Sequence, residues 1–285
     1  MKIATWNVNG IRARQAEVAS WIAAERPDVV CLQEVKATNE QIPPELREIE
    51  GYWCYWHGGA KGYSGVALHV AKSLTPEPPV FSHPPFDHEA RIVTAAIIVP
   101  AAGAVPAAGA APAAGAAPAA GTSGLAAGSR LTVASAYVPN GGKDLAAKIR
   151  FLDGLIGFAE SFGAASVAGT SSLVICGDLN VARAEIDVYP KDRNPRAIGQ
   201  LPQERERFER LLGHGLGDVA RQLDPSNEQL FTWWAPWRNL RQRNLGWRID
   251  YVLASEALAA RAVSCVAHRE YGTSDHAPVV VRFEG

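Results

Sequence analysis

The chain has 285 residues, 47% hydrophobic and 20% charged, which places it with globular proteins and gives length enough for one large domain with a sizeable core. Its 28 Lys and Arg against 29 Asp and Glu leave a formal net charge of −1, which excludes a protein that holds nucleic acid by bulk positive charge; any such contact rests on a local basic patch. Met1 to Trp6 open directly into a strand-like run rather than a signal peptide, and no apolar stretch approaches membrane-spanning length. Cys31, Cys54, Cys176 and Cys265 form no Cys-x-x-Cys pair, so they read as buried free thiols of a soluble cytoplasmic protein.

The first strand runs from Lys2 to Val8 and ends in Trp6-Asn7-Val8-Asn9-Gly10. Two amides at a strand end suit a metal-bound water or a phosphate oxygen; taken alone they read better as turn residues. Val18, Trp21 and Ile22 share the face of a following helix. A second strand, Val29 to Glu34, carries Glu34 and Lys36 at its end. A single carboxylate there suits a hard cation such as Mg²⁺, with a solvated strand end as the competing reading.

Strand-like runs continue at Gly65 to Val70, Ile92 to Val99 and Leu131 to Tyr137. Between the last two, Pro100 to Gly128 is almost entirely Ala, Gly and Pro, with a six-residue repeat marked by Pro106, Pro112 and Pro118. It lacks the large apolar residues a solenoid needs and reads as a loop excursion between two strands. Tyr137-Val138-Pro139-Asn140-Gly141-Gly142 then offers a phenol, an amide and backbone donors beside Lys143, suited to phosphate positioning or to an ordinary turn.

Leu145, Ile149, Leu152, Ile156 and Ala159 mark a helix, and Leu173 to Gly177 a strand that ends in Cys176-Gly177-Asp178-Leu179-Asn180. A carboxylate and an amide two residues apart leave one strand edge on the same side, so Asp178 can take a proton from an attacking water that Asn180 orients; an Asx turn is the alternative. Phe208, Leu211 and Leu212 follow Pro202, a plausible helix start. Further strands are expected at Ile249 to Leu253, Val263 to Ala267 and Val279 to Phe283. Gly246-Trp247-Arg248-Ile249-Asp250-Tyr251 and Thr273-Ser274-Asp275-His276-Ala277-Pro278 supply an acid and an Asp-His pair, so a carboxylate can orient the imidazole. The pattern is α/β, with too many strands for one simple parallel sheet.

This ordered set of motifs resembles the exonuclease III family of abasic-site endonucleases, within the endonuclease/exonuclease/phosphatase superfamily. The likeness covers the whole chain apart from the Ala/Pro/Gly stretch. It implies an α/β four-layer sandwich of two packed mixed β-sheets flanked by helices, formed by one domain over residues 1–285 with the insertion at about 100–128. It further implies Mg²⁺, with Mn²⁺ able to substitute, held by Glu34 with Asn7, Asn9 and Asp275 nearby. Asp178 and Asn180 would handle the water, His276 held by Asp250 would contact the phosphate, and Tyr137 and Asn140 would bind phosphate or assist the leaving oxygen.

The implied activity is hydrolysis of the DNA backbone 5′ to abasic sites, leaving 3′-hydroxyl and 5′-deoxyribose phosphate ends, with 3′-5′ exonuclease and 3′-phosphodiesterase action. Trp233, Trp247 and Ile249 would wall a pocket for the extruded sugar, and Arg248, Lys36 and Lys143 would contact phosphates. Arg238, Arg241, Arg243, Lys191, Arg193, Arg196 and Lys61 are further phosphate candidates. Trp234 and Trp237 read better as core or surface-anchor residues. The implied partner is double-stranded DNA bearing abasic sites, bound by a monomer without membrane association. The competing functions are a same-fold phosphodiesterase acting on RNA or on a lipid or inositol phosphate, and a non-catalytic nucleic-acid-binding relative; the presence of Glu34, Asp178, Asn180, Asp250 and His276 argues against the latter.

Overall fold

The computed structural model describes residues 1–98, 128–163 and 171–284. Its strands are β1 (Lys2–Asn7), β2 (Val29–Gln33), β3 (Tyr52–His57), β4 (Val66–Ala71), β5 (Val80–Ser82), β6 (Ile92–Ile98), β7 (Arg130–Tyr137), β8 (Ser171–Asp178), β9 (Leu216–Asp218), β10 (Asp250–Ser255), β11 (Ala262–Ala267) and β12 (Val279–Phe283). The long helices are α1 (Gln15–Glu25), α2 (Leu145–Glu160) and α3 (Pro202–Leu212). Two six-stranded sheets form, in the orders β11-β12-β1-β2-β4-β3 and β5-β6-β7-β8-β10-β9.

The sheets are built alike. Each has one parallel pair, β1 with β2 and β7 with β8, and its other neighbours are antiparallel. A parallel pair needs a crossover, and α1 and α2 supply it. Period-two alternation decides the rest. Ile3, Cys31, Leu68, Val93, Val133, Val174, Val252 and Val281 point inward and form the core between the sheets. Trp6, Val30 and Leu32 face outward against Val18, Trp21 and Ile22 of α1. Ile175 and Leu253 face outward against Phe151, Leu152 and Leu155 of α2 and Phe208 and Leu211 of α3. The result is the expected helix–sheet–sheet–helix sandwich, and burying each such aliphatic side chain contributes about 1.5–3 kcal/mol.

Register then places the chemistry. Asn7 pairs with Gln33, so Glu34 emerges next to Asn7 at the end of the first sheet. In the second sheet Tyr137 pairs with Asp178, which pairs with Asp250, so three functional groups stand side by side. The carboxyl ends of β1, β2, β7 and β8 therefore meet on one rim.

β3, β5 and β9 were not among the expected strands. All are edge strands, and the last two have only three residues each. Ile98 pairs with Arg130, so the Ala/Pro/Gly stretch connects two adjacent antiparallel strands; residues 99–127 themselves lie outside the described residues. Cys31 and Cys176 are buried free thiols as expected, whereas Cys54 and Cys265 are only partly buried. Among the described residues, no helix is long and apolar enough to cross a membrane.

Candidate active site

Asn7 sits where the two sheets meet. Its Nδ2 donates to Glu34 Oε1 and to Asp178 Oδ2, each at 2.9 Å, and its Oδ1 accepts from the Asn9 backbone N–H at 3.0 Å. That last bond fixes which amide atom is oxygen, because a backbone N–H needs an acceptor. Asn7 thus clamps one carboxylate from each sheet. Glu34, Asn9, Lys36 and Asn180 all adopt positive φ, between 45° and 52°, a conformation that costs Glu and Lys more than Asn. The turn after β2 is held in it by backbone bonds from Val35 N to Gly65 O and from Lys36 N to Ser64 O.

Asp178 and Asp250 are buried side by side, and His276 reaches them from the loop between β11 and β12. His276 Nδ1 lies 2.9 Å from Asp250 Oδ2, and its Nε2 lies 3.9 Å from Asp178 Oδ2. Burial disfavours the imidazolium, but the Asp250 carboxylate outweighs it and pushes His276 up to about 10. Burial, together with Asp250 and Glu34, pushes Asp178 up to about 8 against the opposing charge of His276. Thr232, which the sequence reading missed, locks Asp250: its hydroxyl donates to Asp250 Oδ2 at 2.7 Å and accepts from the Ile249 and Asp250 N–H groups.

Asn180 donates to Val138 O at 2.9 Å and to Asp178 Oδ2 at 3.1 Å, and its Oδ1 accepts from Asn140 Nδ2 at 3.2 Å. Its backbone carbonyl accepts from Lys148 Nζ at 2.6 Å, and fully buried Lys148 pairs with Glu204. Lys148 was also missed, although a lysine between Leu145 and Leu152 on the apolar stripe of a helix is a visible signal. Burial holds the Tyr137 phenol protonated, reinforced by the Glu34 and Asp178 carboxylates. Arg91 lies over the Tyr137 ring at 4.8 Å.

Of these groups Glu34, Tyr137, Asn140, Asp178, Asn180 and His276 line a cavity of about 360 Å³ together with Trp233, Trp247, Ile249 and Asp275. The two indoles meet edge to face at 5.7 Å. Ile198 and Gly199 complete the wall and were not anticipated; at φ +86° Gly199 passes so near Trp247 that a Cβ would lie 3.2 Å from its ring. Trp234 is buried and Trp237 is exposed, as core and surface residues respectively.

Of the basic residues expected at phosphates, Arg248 and Arg241 are taken up by protein groups. Arg248 is 1% exposed and bonds Asp187 and Asp218 with paired contacts of 2.8–3.1 Å, so it is a buried structural ion network. Arg241 donates to the backbone carbonyls of Arg269, Tyr271 and Ser274, tying its loop to the one that carries His276. Lys36 reaches the site but is engaged with Glu34 and Asn9, each at 2.6 Å. Lys143 is exposed in an adjoining groove that shares Tyr137 and Asn140 with the cavity. Arg238, Arg243, Lys191 and Arg196 are exposed, Arg193 is partly buried, and the side chain of Lys61 lies outside the described residues.

Glu34, Asp178 and His276 each bring one ligand atom within 4.8 Å of the others. Burial opposes ionisation of Glu34, yet the bonds from Asn7 and Lys36 hold its carboxyl below the usual range. Two carboxylates without bulk solvent suit a hard divalent cation. Of the four ligands expected from sequence, Glu34 belongs to this cluster. Asn7 and Asn9 instead turn their oxygens to the Asn9 N–H and Lys36, and Asp275 accepts from Asn9 at 2.7 Å and from Trp233 at 3.1 Å. Among the described residues each of these oxygens accepts a single bond and keeps a lone pair directed at the same rim as Glu34.

The sequence pattern of the endonuclease/exonuclease/phosphatase family matches residues 4–276, a span that contains every group just described. Exodeoxyribonuclease III of Haemophilus influenzae is 30% identical over 304 residues, covering 100% of both chains. Recombination repair protein 1 of Drosophila melanogaster is 30% identical over 287 residues, which are 99% of this chain and 37% of that longer protein. The solved structure of an AP endonuclease from Archaeoglobus fulgidus has a TM-score of 0.77 at 28% identity, again over 100% of both chains.

Proposed function

The chain belongs to the endonuclease/exonuclease/phosphatase family, and we propose that within it the protein is a Mg²⁺-dependent DNA-repair nuclease that cuts the backbone 5′ to abasic sites. It is a hydrolase acting on DNA. The 3′-hydroxyl and 5′-deoxyribose phosphate ends, the 3′-5′ exonuclease and 3′-phosphodiesterase actions, and function as a monomer on double-stranded DNA belong to the same reading. The observation that carries it is the joining of Glu34, Asp178 and His276, drawn from both sheets and backed by Asp250 behind the imidazole, in a cavity walled by Trp233, Trp247 and Ile249.

Asp178 takes a proton from the attacking water. Its affinity for protons lies near neutral pH, and Asn7 and Asn180 fix its carboxylate. As the water oxygen bonds to phosphorus, negative charge grows on the phosphate oxygens, and the imidazolium of His276 donates its Nε2–H to one of them. The P–O3′ bond breaks, and the Tyr137 phenol, kept protonated by its surroundings, supplies a hydrogen bond or proton to the departing oxygen, with Asn140 beside it. A divalent cation held by Glu34, with Asn7, Asn9 and Asp275 beside it, would supply charge stabilisation at the phosphate. Mn²⁺, which also takes oxygen ligands, would substitute.

Selection in this reading rests on the apolar wall of Trp233, Trp247 and Ile249, which an extruded deoxyribose packs against once it carries no base. The test is a duplex oligonucleotide carrying one tetrahydrofuran abasic analogue, incubated with Mg²⁺, with EDTA, and with the Asp178→Asn variant. Cleavage on the 5′ side of the analogue, dependent on Mg²⁺ and severely reduced in the variant, is expected. An intact oligonucleotide with Mg²⁺, or equal cutting by the variant, would overturn the assignment.

A further inference from the structure

His57, His83 and Asp87 form a second cluster of ligand-bearing groups, away from the cavity. One ligand atom from each lies within 4.8 Å of the others. His57 is the last residue of β3, the edge strand of the first sheet; His83 directly follows β5, the edge strand of the second. Asp87 lies in the turn that leads into β6. The two edges already touch, because Tyr55 of β3 stacks on Phe81 of β5 with centroids 4.9 Å apart and planes 18° from parallel.

We propose that His57, His83 and Asp87 form a site for a borderline transition-metal ion, Zn²⁺ foremost, that clips the edge strands of the two sheets together.

The donor set fits such an ion. Two imidazole nitrogens and one carboxylate match Zn²⁺, whereas Mg²⁺ prefers oxygen ligands alone. The surrounding bonds present these atoms correctly. His83 Nδ1 lies 3.2 Å from Ile92 O, a partner that only accepts, so Nδ1 carries the hydrogen and Nε2 keeps its lone pair. That Nε2 now accepts from the Tyr55 hydroxyl at 2.8 Å, which places an oxygen beside the fourth position. Asp87 Oδ1 is fixed by the Arg91 and Ile92 N–H groups at 2.9 and 3.1 Å, and Oδ2 accepts from His57 Nε2–H at 2.7 Å; the ion would displace that proton and stand between the two atoms. Burial opposes ionisation of Asp87, but His57 and those backbone donors keep it below the usual carboxylate range. The two imidazole rings already lie against each other, with centroids 3.9 Å apart and planes tilted by 39°. Donor atoms around a tetrahedral Zn²⁺ stand roughly 3.3 Å apart, so small side-chain rotations close the site.

The clip lies on the same rim as the catalytic groups. His57 pairs with Val66, which pairs with Gln33, and Ser82 pairs with Thr94 in the strand that starts at Ile92. At about 4.8 Å per strand, the cluster stands roughly 10–15 Å from Glu34 and Asp178 along the sheets. It is a separate site with softer ligands, occupied alongside the catalytic cation.

The experiment titrates the full chain, held in excess Mg²⁺, with Zn²⁺ by calorimetry and with Co²⁺ by visible absorption, and follows the thermal midpoint. One equivalent bound at micromolar Zn²⁺, tetrahedral Co²⁺ bands and a raised midpoint are expected. His83 is exposed, so His83→Ala should fold normally; it and His57→Gln should weaken binding tenfold or more, at least the loss that even an outer-shell partner produces. Glu34→Gln and Asp178→Asn should bind Zn²⁺ as the parent does. Absence of binding at micromolar Zn²⁺, or binding kept by His83→Ala and lost in Glu34→Gln, would overturn the proposal.

Discussion

His276 turns Nδ1 to the Asp250 carboxylate, 2.9 Å from Oδ2 and 3.1 Å from Oδ1, and thereby aims its second nitrogen at the catalytic cavity. Burial alone would make this imidazole neutral; Asp250 reverses the sign and raises it to about 10.

The first prediction concerns that pair. With the imidazolium as phosphate donor, the histidine should not limit activity until pH rises toward about 10. In Asp250→Asn the counter-charge is gone and burial acts unopposed, so the imidazolium loses its proton at far lower pH. At neutral pH kcat should fall about 100-fold or more, with partial recovery on acidification. A pH–rate profile unchanged by the substitution would contradict this role.

A second prediction is about acid stability. His69 is fully buried against Trp56, both ring nitrogens lack partners among the described residues, and burial lowers it to about 3. Its folded affinity for protons is depressed, so the unfolded chain binds the extra proton. This contribution is complete above about pH 6.5 and is lost as pH falls toward 3, amounting to about 5 kcal/mol at the acid end. His69→Leu keeps an apolar side chain of similar size. Urea unfolding at several pH values should show unchanged or higher stability at pH 7 and a flatter loss below pH 6.5; an identical acid slope would show that other groups control it.

Arg248 separates a structural role from a binding one. Arg248→Met leaves Asp187 and Asp218 buried without their main partner, a loss of about 3–5 kcal/mol. The melting midpoint should drop by roughly 10 °C, while KM for DNA in the folded fraction changes little. A normal midpoint with a raised, salt-sensitive KM would instead place this guanidinium on a phosphate.

The Ala/Pro/Gly stretch should be dispensable. Ile98 and Arg130 are paired neighbours, so a short turn can join β6 to β7. Deletion of Val105 to Gly121 should leave cleavage of the abasic duplex within about twofold and the protein soluble, as expected for a shortened surface connection. Insoluble or inactive product would assign that segment a structural part.

Much of the sandwich was legible because apolar alternation and strand-end motifs are local signals. Lys2–Asn7, Val29–Gln33 and Ser171–Asp178 lie close to where their residues indicated. The edge strands were harder. Val80–Ser82 has three residues and a largely exposed face, so only its pairing to β6 makes it a strand. Tyr52–His57 did carry a usable aromatic signal that was passed over.

The site divides in the same way. By itself the sequence determined which chemical groups are present and that they sit at strand ends: Asn7, Glu34, Tyr137, Asp178, Asn180, Asp250 and His276 were all named from local motifs. Tertiary structure alone decided what each group faces. It turned the Asn7 amide onto two carboxylates from different sheets, placed Lys36 on Glu34, sank Arg248 between two aspartates, and drew Lys148 beneath the Asn180 carbonyl. The physical reason is that charge state and hydrogen-bond direction depend on partners within about 3 Å. Such partners lie as far as 171 positions away along the chain, as for Asn7 and Asp178, and there only the packing of the two sheets brings them together.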